Sequence, residues 1–440
     1  MKKCWVLAAA ILATATAGSP QSRSLRDDIS RDYRDNLSAL FAHFHQNPEL
    51  SGREVQTAAR MAQELRSLGY EVTTNVGGTG VVALLRNGAG PTVMVRAEMD
   101  ALPLEEQSGV PNASHARQVG LDGAEHPVMH ACGHDVHVTA LVGTARQMVA
   151  RRTEWSGTLL LVVQPAEETL SGARAMIQDG LYSRFPKPDY ALAFHVAAEL
   201  PVGRIRVPQS IVASSGDAIS MTVRGVGTHG AYPQLGVDPI FVASQIIVSL
   251  QSMIGRSINP LEGAVISVGS IHGGVKSNII PDHVDLLLTV RADNPETRAR
   301  LLDGIDRVAR GTAIAMGVPE DRLPIVTRSA TESTPPTIND ATTAALVRDV
   351  IARRMGEGRL IETPRPGMGA DDFAYFSAPG TGVRSVYFSV GGTPEADVAR
   401  APAHHSPFFR IQPEPSVTTG IEAIVVAAEA LMPRPSASHS

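Results

Sequence analysis

Cys132 and His134 sit two residues apart in the string MHACGHD, and two adjacent acids, Glu167 and Glu168, sit in QPAEE. Cysteine, histidine and carboxylate side chains are those that bind divalent transition metals. Cys132 and His134 cannot share a helix face at that spacing, but a tight loop through Gly133 can turn both toward one ion. Neighbouring carboxylates repel, and burying both is costly unless a cation or a shared proton compensates. A metal resolves the conflict by binding one acid and leaving the other free as a base; the alternative is an ordinary solvated acidic loop. Met99-Asp100 after PTVMVRAE, and His195 after YALAF, follow the same plan of a polar, metal-compatible residue directly after an apolar run.

Those runs read as buried strands over 81–85, 92–96, 158–163 and 190–194, with a helix over 134–150 between the second and third. Helical periodicity also covers 25–69, broken at Asn47-Pro48 and resumed over 53–68. Near-continuous apolar strands alternating with helices predict an α/β domain with a mostly parallel central sheet covered by helices. In open α/β sheets the functional crevice lies beyond the carboxyl ends of the strands, and all four polar clusters fall there or at a helix start. From about residue 210 the texture changes to a strand over 217–224, a helix over 239–255, strands over 264–271 and 284–291, and a helix over 295–316. A further strand signal lies near Ile325. That order predicts an inserted ferredoxin-like α+β domain. The expected organisation is a catalytic domain over 25–209 and 323–432, interrupted by the inserted domain over 210–322, with a Pro/Ser-rich disordered tail over 433–440.

The chain has 440 residues, 43% of them hydrophobic and 19% charged, with a formal net charge of -5. No basic excess draws in nucleic acid or an anionic membrane, so a small molecule or peptide is the expected partner. Lys2 and Lys3, an apolar run from Trp5, and the small residues Ala15-Thr16-Ala17 predict a signal peptide over 1–17 and a secreted or periplasmic location. Its removal takes Cys4 away and leaves Cys132 as a lone thiol, either a buried inert residue or a metal ligand.

The strings RAEMDALPLEE, MHACGHDVHVTALVG, QPAEE, FHV, GVGTHGAYP, GGVKSNIIPD, GADDFAYF and HHSPFF occur in this order along the chain. Together they resemble the aminoacylase and carboxypeptidase family of two-metal amidohydrolases, in the branch of hippurate hydrolases and hydrolases of auxin–amino acid conjugates. The resemblance implies two divalent ions per subunit, zinc or manganese with cobalt also admissible, held by Cys132, His134, Glu168, His195 and His405. It implies Glu167 as the catalytic carboxylate and His229 as a histidine that reaches into the partner subunit's site to stabilise the oxyanion. It further implies Asn278 and Arg291 as binders of the substrate carboxylate, and Asp100 and Asp371 as residues that orient the ligands. The inserted domain becomes a lid and dimerisation domain, and the substrate an N-acyl amino acid or small peptide. Chemically, paired ions acidify a water, Glu167 carries its proton to the leaving nitrogen, and an ion with His229 stabilises the tetrahedral oxygen.

The sequence departs from the family at Glu98, where aspartate is common, at Asp371, where glutamate is common, and in a longer stretch over 114–126 that precedes the ligand loop and can reshape the substrate mouth. His137 reads as a packed or ligand-supporting histidine, and His43 and His45 as surface or helix-packing residues. The competing readings are a dipeptidase or carboxypeptidase of the same family, a cysteine hydrolase with Cys132 as nucleophile, and a noncatalytic solute-binding protein.

Overall fold

The computed structural model describes residues 24–434; the signal peptide read over 1–17 and the tail from residue 435 lie outside them. Helix Leu25–Asp32 passes through one π turn, Tyr33–Leu37, into helix Ser38–Gln46. It stops at Asn47 because a residue before proline is driven out of the helical region; Asn47 has φ -127° and ψ 53°. Helix Val55–Ser67 follows.

The larger sheet has seven strands in the spatial order Glu71–Thr74, Val81–Asn87, Gly157–Gln164, Thr92–Glu98, Tyr190–Pro201, Arg384–Thr393, Ile205–Arg206. The four from Gly157–Gln164 to Arg384–Thr393 are mutually parallel. The three outer ones pair antiparallel. The α/β class is as expected, but the sheet is mixed, with a parallel centre and antiparallel margins. Alternate residues of one strand enter different cores: Leu159, Leu161 and Val163 face one layer, Leu160 and Val162 the other. Burial on both faces is why the run TLLLVV shows no polar alternation, and each such side chain contributes about 1.5–3 kcal/mol. Helices Val55–Ser67, His134–Ala150, Ala341–Met355 and Pro413–Leu431 cover the first face. Helix Gly172–Gln178 and the 3-10 turn Asp372–Ser377 cover the second. Gly143 lets two of the first-face helices touch, since a Cβ there would stand 2.3 Å from Ile421 Cδ1.

The second unit is a four-stranded antiparallel sheet in the order Ala264–His272, His283–Ala292, Gly216–Arg224, Ile325–Thr334. Helices Pro239–Ser257 and Pro295–Ala315 pack on one side of it. Each starts with a capping side chain, Asp238 or Asn294, followed by proline, the arrangement that satisfies a helix's first N–H groups. The strand Gly216–Arg224 pairs with Ile325–Thr334, so this sheet takes in residues beyond 322. Its strand order is that of a ferredoxin-like fold. At the other end of the chain, Pro433 bridges Trp155, which carries the ordered chain past the boundary placed at 432.

Candidate metal centre

The ligand loop depends on one glycine. Gly133 has φ 85°, and a Cβ on it would meet Val196 Cγ1 at 2.4 Å, so only glycine turns the chain here between Cys132 and the helix that begins at His134. Cys132 and His134 are both buried. His134 Nδ1 lies 2.8 Å from the Asp100 carbonyl oxygen and 3.4 Å from Asp100 Oδ1. Nδ1 is thus engaged, and Nε2 faces the cluster without a hydrogen-bond partner, 3.9 Å from both Glu167 Oε2 and Glu168 Oε1. His195 donates from Nδ1 to the Val196 carbonyl at 2.7 Å and turns Nε2 to within 3.4 Å of Cys132 Sγ. It lies inside a strand that continues to Pro201, because Arg384–Thr393 pairs alongside it that far.

Glu167 and Glu168 project from a loop whose neighbours Ala166 and Leu170 adopt left-handed φ of 49° and 53°. His405 is a third non-glycine residue of this kind, at φ 63°. Such conformations cost about 1–3 kcal/mol each and persist where surrounding contacts fix them. The His405 N–H donates to the Ala131 carbonyl, and its Nε2 stands 3.3 Å from Glu168 Oε2.

Two other histidines border the cluster with their lone pairs already used. His404 Nε2 accepts the Ala198 N–H at 3.2 Å. His137 Nε2 accepts the Val196 N–H at 2.8 Å, with its Nδ1 2.8 Å from Glu98 Oε1. Neither is free to ligate as a neutral imidazole, which favours His405 of the adjacent pair and keeps His137 in a supporting place.

The charges do not balance. Burial, then Asp371 and Glu168, holds the Glu167 carboxyl well above the usual carboxylate range. Burial raises Glu168 to about 7 against the pull of His134. Burial opposes a charge on His134, but Asp100, Glu98 and Glu168 outweigh it and carry its pKa up to about 10. Burial, then Glu168, Glu167 and Glu98, pushes the Cys132 thiol up. Neighbouring carboxylates contribute to all four upward shifts, and a positive charge placed among them would oppose each. Asp100 Oδ1, His134 Nε2 and Glu168 Oε1 are buried without a hydrogen-bond partner. Among the described residues, Cys132, His134 and Glu168 place ligand atoms within 4.8 Å of one another. Mixed sulfur, nitrogen and oxygen donors around an acidic pocket fit divalent metal ions. The same carboxylates argue against a cysteine nucleophile: Cys132 and His195 are close, but a reactive cysteine sits in electropositive surroundings, and these are the reverse.

Asp100 accepts from the Ser51 hydroxyl at 2.6 Å and from the Glu168 N–H at 3.0 Å. Asp371 accepts from Tyr387 Oη at 2.6 Å and from Arg96 Nη2 at 3.0 Å. Arg96, fully buried, also reaches Glu98 at 2.6 Å and the Gln164 side chain at 2.8 Å. The remaining named residues lie on the inserted unit. His229 and Asn278 are exposed neighbours, joined by the pairing of His229 with Ile279 and the Gly230 N–H on the Asn278 carbonyl. The hydrogen bond and ring contact of His229 are local, to Ala231 and Tyr232. Arg291 is half-buried and donates from Nε to Thr289 Oγ1 at 3.2 Å. Around Gly216, Arg291 Nη1, Leu170 Cδ1 and Ala370 Cβ each stand 3.0 Å from the place of a Cβ. Arg291, Leu170 and Ala370 thus border one spot beside Gly216, the last two being sequence neighbours of Glu167-Glu168 and Asp371.

Sequence reasoning missed Arg96, Ser51, Glu54 and His45. The last is not a simple packing residue. Its Nδ1 lies 2.7 Å from Asp135 Oδ2 and its Nε2 3.3 Å from Glu106 Oε1.

A parallel-centred sheet, an inserted domain and a buried Cys/His/carboxylate cluster at its strand ends define a metal-dependent hydrolase. Residues 94–430 match peptidase family M20/M25/M40, and the chain belongs to it; it is a metal-dependent amidohydrolase. It is similar to hippurate hydrolase of Campylobacter jejuni, 35% identical over 78% of this chain and 86% of the relative. It is also similar to IAA-amino acid hydrolase ILR1-like 2 of Arabidopsis thaliana, 32% identical over 89% and 84%. Among solved structures, the YXEP protein of Bacillus subtilis, described as a dinuclear metal binding peptidase, superposes with a TM-score of 0.72 at 28% identity, covering 91% of this chain and 99% of that one.

Proposed function

We propose that this protein hydrolyses the amide bond of N-acyl amino acids, or of short peptides, next to a free carboxylate. The observation that carries the reading is the convergence of Cys132, His134, Glu168 and His195 beside the buried Glu167, with the more exposed His405 turned to Glu168 at their rim. The five ligands would hold two divalent ions; thiolate and imidazoles favour zinc, and the carboxylate also admits manganese or cobalt. Bound there, such ions supply Lewis acidity toward water and the scissile carbonyl. Glu167, whose proton affinity is raised by burial and by Asp371, takes the proton from water and returns it to the leaving nitrogen. Asp100 fixes the His134 ring through Nδ1, and Arg96 with Tyr387 fixes Asp371 beside Glu167.

Arg291 and Asn278 bind the substrate carboxylate. His229 serves the site of a second subunit, which requires a homodimer formed through the inserted domain. An apolar surface there supports that assembly: Phe241 and Val248 on helix Pro239–Ser257 are 54% and 60% exposed, and Ile271 on the edge strand is 50% exposed. The residues over 1–17 direct the chain to a secreted or periplasmic location. Names of relatives support the substrate class, since they include hydrolases of hippurate and of IAA-amino acids.

The test is hydrolysis of a panel of N-acetyl and N-benzoyl amino acids and dipeptides, before and after chelation and with zinc, manganese or cobalt restored. Activity lost on chelation and regained with metal supports the reading. Activity indifferent to chelation refutes it. A preference for dipeptides within the panel places the enzyme with peptidases.

A further inference from the structure

The loop that presents Glu167 and Glu168 is anchored from outside by one short turn. Glu54, at the end of that turn, is fully buried. Its Oε1 accepts the N–H of Ala166 at 2.8 Å and the N–H of Gly52 at 2.8 Å, while Oε2 accepts the Thr79 hydroxyl at 2.6 Å. Ala166 is the strained residue directly before Glu167, with φ 49°. Its carbonyl receives the N–H groups of Ser171 and Gly172 and so closes the loop on itself. Ser51, from the same turn, holds Asp100, which in turn holds the Glu168 N–H. Both ends of the acidic pair therefore hang on the turn over 51–54.

We propose that Glu54 is a positioning residue for the general base: its carboxylate holds the Ala166 N–H and thereby sets the aim of Glu167. This rests on Glu167 being the base. A buried carboxylate beside Asp100 is electrostatically unfavourable, and burial with Asp100 raises the Glu54 pKa to about 7. Its presence therefore calls for a compensating role, and three hydrogen bonds, one within its own turn and one to each of two other segments, supply one. The turn has its own external support. Gln118, in the hairpin of Arg117–Val119 with Glu125–Pro127, accepts the Leu50 N–H at 2.7 Å and donates to the Arg53 carbonyl at 3.1 Å. The long stretch over 114–126 is thus a buttress of the catalytic loop, reached through Glu54.

A loop displaced by a few tenths of an ångström leaves substrate binding intact while misaligning proton transfer. Glu54→Ala is expected to lower kcat about 30- to 100-fold, with KM changed less than threefold and the metal content of wild type. Glu54→Gln keeps an oxygen for the Ala166 and Gly52 N–H groups and an NH2 for Thr79 Oγ1, and is expected to stay within about fivefold of wild-type kcat. Glu167→Gln is measured beside them on the same N-acyl amino acid. If Glu167→Gln retains wild-type turnover, the base assignment fails. If Glu167→Gln is inactive but Glu54→Ala keeps wild-type kcat, or loses metal in proportion to activity, the positioning role fails. Should Glu54→Ala not fold, Glu54→Gln and Gln118→Ala decide it: the role is refuted if Glu54→Gln is as impaired as Glu167→Gln, or if Gln118→Ala leaves kcat unchanged.

Discussion

Replacing Arg291 with alanine tests how the site reads its substrate. The guanidinium is half-buried, makes one hydrogen bond, to Thr289, and places an Nη beside Gly216, where Leu170 and Ala370 also lie. Burial lowers its pKa, with Asp217 the one acid opposing that shift. It is thus a desolvated cation with no carboxylate in hydrogen-bonding contact among the described residues. In the proposed reading a substrate carboxylate would complete it with charge-assisted hydrogen bonds, worth about 2–3 kcal/mol where they form. At 1.36 kcal/mol per tenfold, Arg291→Ala is expected to lower kcat/KM for an N-acyl amino acid by about 30- to 150-fold. Its effect on the corresponding N-acyl amino acid amide, which lacks the charge, is expected to be under about threefold. The assay is steady-state hydrolysis of matched acid and amide substrates by wild type and variant, with urea unfolding in parallel. Folding stability is expected to change by less than about 1 kcal/mol, since no ion pair is broken. An Arg291→Ala enzyme that still prefers the acid by the wild-type ratio refutes the assignment.

Arg96→Met leaves Glu98, Asp371 and Asp372 facing one another without their shared cation; breaking a buried pair in this way costs about 3–5 kcal/mol, read as a lower urea midpoint. His45 titrates high. Burial works against its charge, but hydrogen bonds to Asp135 and Glu106 prevail and raise its pKa to about 10. A raised folded pKa stabilises fully below the unfolded value near 6.5 and is lost as pH rises through about 10. Wild type is therefore expected to lose up to about 4 kcal/mol between pH 7 and 11 from this group, and His45→Gln is expected to lack that component when unfolding is followed across the range.

The clusters at Asp100, Cys132-His134, Glu167-Glu168 and His195 stand out in the sequence because each follows an apolar run or opens a helix, a local pattern; His405 carries no such mark and came from the family resemblance alone. The parallel centre of the sheet was legible for the same reason: strands buried on both faces are apolar throughout. The strand Ile325–Thr334 was harder to assign. It is an edge strand of residues such as Thr327, Arg328, Ser329 and Thr331, mostly exposed, so no alternation marks its length and only a strand signal near Ile325 shows in the sequence. The short margins Glu71–Thr74 and Ile205–Arg206 left the sheet's mixed character unseen. The supporting networks were invisible for a different reason. Glu54 meets Ala166 across 112 residues, Arg96 meets Asp371 across 275, and His45 meets Asp135 across 90. Glu54 and His45 carry no local mark that separates them from surface charges; Arg96 does, as a lone cation inside the run over 92–96 read as buried, but only the packed fold brings all three to their partners.

The most direct test of the account is metal content and turnover measured together on wild type and Glu167→Gln. The account predicts two divalent ions per subunit in both proteins, with turnover lower in the variant by about 10²–10⁴-fold, the range of a lost general base. A wild-type protein that binds no metal, or a Glu167→Gln variant that binds both ions and hydrolyses substrate at the wild-type rate, would contradict it.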